Sequence, residues 1–284
     1  MTTDKIDYRA SLAELQKKFK MRPFLVDRPT DSEYPELFIR VPNSWPSIQI
    51  APFYDVHVGN PQCDEDKVKR HLEWLAETPN VIAFNGGDMF ENLVNPKMGH
   101  TPLDNTEAFY RAVATLAPYR HKFAFAIPGN HEDRSYRACH LDSARLLADN
   151  LDIPYFQDYC FTTIMWKGMR FKIAAHHGTG AAQTAGAQRM AARKDLAWSK
   201  PDILWTGHLH KPLTDTVTVM DYDQQSGRMF ERDIFVIISP SYVKYFGSYA
   251  SKMRLGPGSR GLTVATLQDD GRIDVTLHAQ GKRL

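Results

Sequence analysis

Residues Ser47 to Asn60, SIQIAPFYDVHVGN, contain the clearest pattern in the sequence. It opens with an apolar segment typical of a buried strand and continues into Asp55 and His57, two potential metal ligands. Four later segments repeat this order, with Asp, Asn or His directly after an apolar run. They place Asp88 after VIAFNGG, Asn130 and His131 after FAFAIPG, His176 and His177 after FKIAA, and His208 and His210 after DILWTG. Five such clusters predict one shared site at an edge of a sheet.

The ligand types narrow the chemistry of this site. Oxygen and imidazole ligands without thiolates suit Zn, Mn, Fe, Co or Ni, so the pattern indicates metal-assisted hydrolysis. In the DVH and HLH segments the ligands are spaced i, i+2, which directs both side chains to one side of an extended chain. Gly86 and Gly87 before Asp88 allow another group to approach closely. Taken singly, each cluster also suits an ordinary turn or a solvated side chain.

Bulk composition excludes several classes of protein. The chain has 284 residues, 43% hydrophobic and 24% charged, with a formal net charge of +2, which gives no general signal for nucleic acid or a membrane partner. Its three cysteines lack metal or disulfide spacing and are expected to be free thiols. The charged N-terminus has no signal-peptide character, and no apolar run is long enough to cross a bilayer. We therefore expect a cytoplasmic protein; its oligomeric state is left open.

Strands and helices alternate through the first half of the chain. Strands at SIQIAPFY, VIAFNG and FAFAIPG are followed by helices over Asp64–Leu75, Thr106–Leu116 and Leu141–Asn150, which predicts an α/β fold. The second half is mostly β, with a tight hairpin turn at Lys167-Gly168. Residues 1–46 are predicted to be a short helix from about Ser11 to Lys20 and an irregular arm packed on the main domain. That domain would cover residues 47–284.

The ordered set DVH, GGD, GNHE, HHG and GHLH resembles the calcineurin-like metallophosphoesterases, over roughly Ile48 to Leu213. The resemblance implies a four-layer αββα sandwich with two divalent cations at strand-end loops. It also implies a reaction in which the two metals hold the phosphate and generate a bridging hydroxide.

The resemblance also implies a role for each ligand. Asp55, His57 and His210 would bind one metal, Asp88 would bridge, and Asn130, His208 and either His176 or His177 would bind the second. In some members the ligand His is followed by one residue and then Gly or Pro, which selects His176. In others it directly precedes Gly, which selects His177. We favour His176, with the other imidazole lining the pocket.

Next to the ligands, the resemblance assigns His131 as the general acid, or as a stabiliser of charge on the leaving oxygen. Glu91 would then orient His131, unless it is a solvated acid. One departure concerns the GDxxDRG motif of the protein phosphatases, which reads GDMFENL here. The arginine of that motif is missing, and its absence weakens the case for a phosphoprotein substrate because that guanidinium binds phosphate there.

The sequence says less about the substrate. Arg189 and Arg193 share a helix face and are candidate phosphate contacts, although a solvated face is an equal alternative. Tyr242 belongs to an aromatic and basic stretch, residues 239–261, that suits contact with bases and phosphates. The expected substrate is a phosphoester, with nucleotides and nucleic acids among the candidates. We predict a phosphodiesterase; a DNA or RNA nuclease and a non-catalytic scaffold are the alternatives.

Overall fold

The computed structural model of the chain describes residues 20–95, 101–223 and 225–278. The strands in these residues are β1 Leu25–Asp27, β2 Glu36–Arg40, β3 Ile48–Ile50, β4 Val81–Asn85, β5 Phe123–Ala126, β6 Tyr159–Trp166, β7 Met169–His176, β8 Ile203–Thr206, β9 Leu213–Tyr222, β10 Met229–Ile238, β11 Leu262–Leu267 and β12 Ile273–His278. Seven of them form a sheet in the order β1–β2–β6–β7–β8–β10–β9, and five form a second sheet in the order β12–β11–β3–β4–β5.

The helices cover the outer faces of the two sheets. In the described residues they are α1 Glu65–Glu77, α2 Asn105–Leu116, α3 Asn130–Cys139, α4 Ser143–Leu151, α5 Ala185–Arg193 and α6 Tyr249–Lys252. The three helices predicted in the first half of the chain are confirmed as α1, α2 and α4, with ends that differ by no more than two residues. None of the helices in these ranges is long and apolar enough to cross a bilayer.

Three buried apolar clusters separate the layers. Leu72 of α1 and Leu147 of α4 pack on the outer face of the five-stranded sheet. Phe84 and Trp205 belong to the cluster between the two sheets. Ala192 of α5 packs on the outer face of the seven-stranded sheet. The order is therefore helices, sheet, sheet and helix, and the predicted αββα sandwich is confirmed.

Parallel pairing places the important loops at one edge. Strands β3, β4 and β5 run parallel in the smaller sheet, and β7, β8 and β10 run parallel in the larger one. Parallel strands end at the same edge of their sheet, which is where open α/β sheets place their sites. The segments after β3, β4, β5, β7 and β8 carry the five clusters of candidate ligands.

The hairpin between β6 and β7 has the predicted turn. Trp166 lies opposite Met169 in the antiparallel ladder, so the turn consists of two residues. Lys167 has a φ of 48° and Gly168 a φ of 81°, as a type I′ turn requires. The predicted hairpin is confirmed.

The segment before β3 differs from the predicted irregular arm. It is not irregular throughout, because β1 pairs with β2 and β2 runs parallel to β6 in the larger sheet. Ile39 of β2 is buried between the sheets, and this burial explains why the segment is ordered as a strand. Residues 11–19 of the predicted first helix lie outside the described residues. The division of the chain after residue 46 stays a prediction.

Candidate metal centre

The candidate ligands meet where the parallel strands end. Three groups of side chains have ligand atoms within 4.8 Å of one another. The groups are Asp55 with His57 and His210, His57 with Asp88 and His131, and Asp88 with His177 and His208. Because the groups share His57 and Asp88, they form one continuous centre.

Left-handed backbone brings these side chains inward. Five residues of the centre have φ between 51° and 65°, namely Asp55, His57, Asp88, His208 and His210. Such a conformation costs a non-glycine residue about 1 to 3 kcal/mol and is found mainly at functional sites. The DVH and HLH segments are therefore turned rather than extended, and the extended geometry expected from their spacing is wrong.

The first group is tightly packed, with Asp55 and His57 buried and His210 partly exposed. Nε2 of His210 lies 3.1 Å from Oδ1 of Asp55 and 3.3 Å from Nε2 of His57. The other carboxylate oxygen of Asp55 accepts the backbone N–H of His208 at 2.8 Å. Asp55 therefore links the loop after β3 to the loop after β8.

The other two groups share Asp88 and surround it. Nε2 of His177 lies 3.4 Å from Oδ2 of Asp88, and Oδ1 of Asp88 accepts the backbone N–H of His131 at 2.8 Å. Nδ1 of His208 lies 2.7 Å from Oδ1 of Asn130. The side chain of Asn130 thus joins this group beside His208.

Two imidazoles of the centre, those of His177 and His208, share one arrangement. Each has one ring nitrogen within hydrogen-bond distance of a backbone carbonyl, which only accepts, so the ring hydrogen lies on that outer nitrogen. In the neutral ring the inner nitrogen then has a lone pair that faces other ligands. The outer contacts are His177 Nδ1 to the Gly86 carbonyl at 2.9 Å and His208 Nε2 to the Gly180 carbonyl at 2.8 Å. Nδ1 of His57 lies 3.3 Å from Oε2 of Glu91 but forms no hydrogen bond with the described residues.

These lone pairs test whether the centre fits a metal. In the neutral rings they face a carboxylate oxygen and an amide oxygen, so acceptors face acceptors unless a proton or a cation lies between them. Nε2 of His177 is buried and makes no hydrogen bond with the described residues, although Oδ2 of Asp88 is only 3.4 Å away. A metal-bound histidine has this arrangement, with its second nitrogen fixed by an outer acceptor. The residues therefore fit divalent cations.

The charges agree with this conclusion. Burial by itself would lower the pKa of His177, but Asp88 and Asp55 outweigh burial and raise it to about 10. Burial likewise opposes the charged form of His57, yet Glu91 and Asp88 raise its pKa to about 9. The buried carboxylates thus create a strong preference for positive charge, which divalent cations would satisfy.

His131 lies at the edge of the centre. Its Nε2 is 3.8 Å from Oδ2 of Asp88, and its Nδ1 contacts the backbone carbonyl of Glu91 at 2.7 Å. Burial, followed by the nearby His57, lowers the pKa of His131 to about 4. Nδ1 therefore carries the hydrogen, and Nε2 is the atom directed at the centre.

Glu91 lies beside a second imidazole as well as the predicted one. Its carboxylate is 3.6 Å from Nδ1 of His131 and 3.3 Å from Nδ1 of His57. Asn60 donates to the same carboxylate at 2.8 Å. The shortest contact of His131 with this residue is to the main-chain carbonyl, at 2.7 Å. The predicted role of Glu91 in orienting His131 therefore stays a prediction, and the structure adds His57 as a neighbour of the same carboxylate.

The sequence reasoning missed Glu132. This buried carboxylate accepts the backbone N–H groups of Asp88 at 2.9 Å, Met89 at 2.8 Å and Gly129 at 2.8 Å. It therefore fixes the loop after β4 to the start of α3. The signal was available, because a Glu at the third position of a helix commonly reaches back to the residue before the helix.

The glycines before the ligands permit close packing of these loops. A Cβ on Gly129 would collide with the carboxylate of Asp88. Gly87 has a φ of 94°, and a Cβ there would meet the backbone of Gly129 and, at 2.7 Å, Nδ1 of His177. The close approach expected of the GGD glycines is therefore present.

The structure selects His177 rather than His176. Nε2 of His176 lies 2.9 Å from Oδ2 of Asp195, away from the carboxylates of the centre. Alternation along β7 explains the difference, because Ile173 and Ala175 face the other sheet whereas Ala174 faces outward. His176 follows the outward set and His177 the inward set. The preference for His176 is corrected.

The structure gives each of the three candidate substrate contacts a partner within the protein; for Arg189 and Arg193, which stay partly exposed, the predicted role stays a prediction. Arg189 and Arg193 share a face of α5 and both pair with the carboxylate of Asp215, at 3.3 and 2.6 Å. Tyr242 is fully buried; its ring stacks on Phe53. Its hydroxyl lies 2.8 Å from Nδ1 of His71. Tyr242 is therefore a core residue, and its role as a substrate contact is corrected.

All three cysteines are free thiols, as expected.

A scan of protein families finds no match to the chain, and no curated protein matches it. Solved structures that resemble it include an NAD nucleotidase from Haemophilus influenzae, with 14% identity and a TM-score of 0.41 over 81% of this chain and 49% of that one. A metallophosphoesterase from Sphaerobacter thermophilus has 15% identity and a TM-score of 0.42, over 84% and 89% of the two chains. A nuclease from Pseudomonas putida has 14% identity and a TM-score of 0.32, over 85% and 88%.

These likenesses carry no argument about activity, since the identities and TM-scores are low. The chain also spans only about half the length of the nucleotidase. The fold is argued instead from the four layers and from the loops at the strand ends. On that basis the chain has the four-layer αββα sandwich that its resemblance to the calcineurin-like metallophosphoesterases implies.

Proposed function

We propose that the protein is a metal-dependent phosphoesterase that hydrolyses phosphodiesters and holds two divalent cations. The observation that carries this proposal is the orientation of two imidazoles, those of His177 and His208, whose outer nitrogens are fixed by backbone carbonyls and whose inner nitrogens face a carboxylate and an amide oxygen. One cation would be held by Asp55, His57 and His210, and the other by Asn130, His177 and His208. Asp88, which lies between the two sets, would contact both.

Divalent cations at such a centre supply Lewis acidity toward a phosphoryl oxygen and toward the attacking water. The chain contributes placement, because Asp55 and Asp88 are buried and fixed by backbone N–H groups. His131, which is neutral because burial lowers its pKa to about 4, is the candidate group to take up the proton that the attacking water loses and to donate it to the leaving oxygen. Its Nδ1 is committed to the Glu91 carbonyl, so a transferred proton would be held at Nε2.

The test uses the Mn-loaded protein and two aryl phosphates. We expect a higher kcat/KM for bis-p-nitrophenyl phosphate than for p-nitrophenyl phosphate, loss of activity with EDTA, and recovery on adding Mn. A preference for the monoester would overturn the diester assignment. Hydrolysis of neither substrate would overturn the proposed activity.

A second candidate function is nucleic-acid hydrolysis, which the segment Ser239–Gly261 favours. This segment contains four basic residues and no acidic residue. Phe246 and Tyr249 are 83% and 70% exposed, as stacking on bases requires. The segment also borders the centre, because a Cβ on Gly258 would collide with the carbonyl oxygen of His210.

Salt-dependent binding tests this second candidate. Lys252 and Arg254 form no ion pair with the described residues, so Glu at both positions should weaken binding of a single-stranded oligonucleotide. The log–log salt slope should fall by about 1.4, the value for two lost phosphate contacts. Lys69→Glu on α1 is the matched control, since Lys69 is also exposed and pairs with Glu73 rather than with a residue of this segment. Equal slopes in all three proteins would reject the nuclease.

A non-catalytic scaffold is the remaining alternative. It would require a centre that no longer holds metal, whereas every candidate ligand type is present and oriented here. The metal measurement that closes the Discussion separates this alternative from the proposed enzyme.

A further inference from the structure

Arg134 lies beside the candidate proton donor. It is three residues after His131 on α3, and residues at this spacing share a helix face. Its side chain is 22% exposed, which places the guanidinium at the boundary between the centre and solvent. The next arginine on the helix, Arg137, is 79% exposed and pairs with Asp133 at 3.6 Å. The two arginines therefore differ in environment although they are three residues apart.

The contacts of Arg134 compensate its charge only in part, through one long ion pair with Glu91. Nη2 donates to Nε2 of His131 at 2.7 Å, and Nη1 donates to the backbone carbonyl of Glu91 at 3.1 Å. Both partners are neutral, and the carboxylate of Glu91 is 3.8 Å away. That carboxylate is shared with His57 and Asn60. A guanidinium offers five donors, so Arg134 has donors to spare for an anion.

The position of the guanidinium fits a phosphoryl group bound at the centre. Nε2 of His131, which Arg134 contacts, is itself 3.8 Å from Oδ2 of Asp88. A phosphoester held by ligands around Asp88 would therefore lie within reach of the arginine. The GDMFENL segment itself contains no arginine, so a guanidinium for the phosphate would have to come from another element, such as α3.

We propose that Arg134 binds the substrate's phosphoryl group, donating to a non-bridging oxygen in place of the arginine missing from GDMFENL. This inference rests on the proposed phosphoesterase function and adds a residue from α3 to it. In the structure the guanidinium of Arg134 donates a hydrogen bond to Nε2 of His131. A shift of Arg134 onto a phosphoryl oxygen would free that nitrogen to face the leaving oxygen. Arg134 would thus favour substrates with a phosphoryl oxyanion, and its shift would leave Nε2 of His131 available for the proton and the leaving oxygen.

The experiment compares Arg134→Gln and Arg134→Lys with the matched control Arg137→Gln, all in the Mn-loaded full chain. Binding of inorganic phosphate is measured by calorimetry, together with KM and kcat for bis-p-nitrophenyl phosphate. We expect Arg134→Gln to weaken phosphate binding about 10- to 100-fold, the effect of losing a hydrogen bond between charged groups. KM should rise with it, Arg134→Lys should recover part of the loss, and Arg137→Gln should match the wild type.

Three results would overturn the inference. They are unchanged phosphate binding in Arg134→Gln, a loss of bound Mn in that variant, or an equal loss in Arg137→Gln. Calorimetry keeps this test separate from the proposed function. A wild-type protein that binds phosphate through Arg134 but hydrolyses no ester would reject the phosphoesterase and retain the anion site.

Discussion

Nδ1 of His177 lies 2.9 Å from the carbonyl oxygen of Gly86, so the loop after β4 orients a ligand that follows β7. The contact joins the two sheets, because β4 belongs to the smaller sheet and β7 to the larger one. It also fixes the ring hydrogen on the outer nitrogen and leaves Nε2 for a cation. The position of the candidate metal centre thus depends on how the two sheets pack.

Replacing each of the adjacent histidines separates a ligand from a neighbour. His177→Ala should reduce bound metal and activity because it removes a nitrogen that faces Asp88. His176→Ala is the matched control; it removes a contact with Asp195 and should retain metal. Elemental analysis after equilibration with Mn gives the metal content. Metal loss in His176→Ala with retention in His177→Ala would reverse the assignment.

Glu132→Gln should destabilise the protein by about 1 to 3 kcal/mol, because an amide accepts only through one oxygen and three buried N–H groups now share a carboxylate. Urea unfolding in EDTA measures this change without a metal contribution. The control is Glu107→Gln, since Glu107 occupies the same third position in the exposed capping box of α2. That variant should lose no more than about 0.5 kcal/mol. Equal losses at the two positions would argue against the special role of Glu132.

Acid should destabilise the fold through His71. Burial, and then the nearby Lys67, lowers the pKa of His71 to about 3 from an ordinary value of 6.5. The unfolded chain therefore binds an extra proton between these values, so the free energy of unfolding falls as the pH drops from 6.5 toward 3. The contribution present above pH 6.5 is about 2 to 4 kcal/mol.

His71→Gln tests this contribution, because glutamine can retain a hydrogen bond to the hydroxyl of Tyr242 without titrating. Unfolding free energies should decline less steeply with acid in the variant than in the wild type. His121, whose pKa burial lowers to about 4, should leave a smaller slope in both proteins. Identical pH profiles would show that His71 does not contribute.

The order of strands and ligands was predictable from sequence because both depend on local patterns. Apolar runs predicted β3, β4, β5, β7 and β8, and polar residues directly after them predicted the shared edge. The preference between His176 and His177 went wrong because neighbouring residues at a strand end face opposite sides. Only the packing of β7 between its two layers decides which side is inward.

Other features depend on elements that the sequence patterns did not predict. The sequence patterns do not predict helix α3, so they do not show that His131 and Arg134 share one face. Tyr242 lies in an aromatic and basic stretch, yet its backbone pairs with Asp55 and Asp64 and its ring enters the core. The composition of residues 239–261 is typical of an exposed surface, and it does not indicate that Tyr242 is buried.

The proposed two-cation centre, with Asp88 as a ligand to both cations, is tested by the metal content of the wild type and of Asp88→Asn. After equilibration with Mn and removal of free metal, we expect about two ions per wild-type chain and a large loss in the variant. Asp133→Asn on α3, a change at a partly exposed carboxylate paired with Arg137, is the control and should match the wild type. Fewer than one ion per wild-type chain, or an unchanged content in Asp88→Asn, would contradict the proposed metal centre.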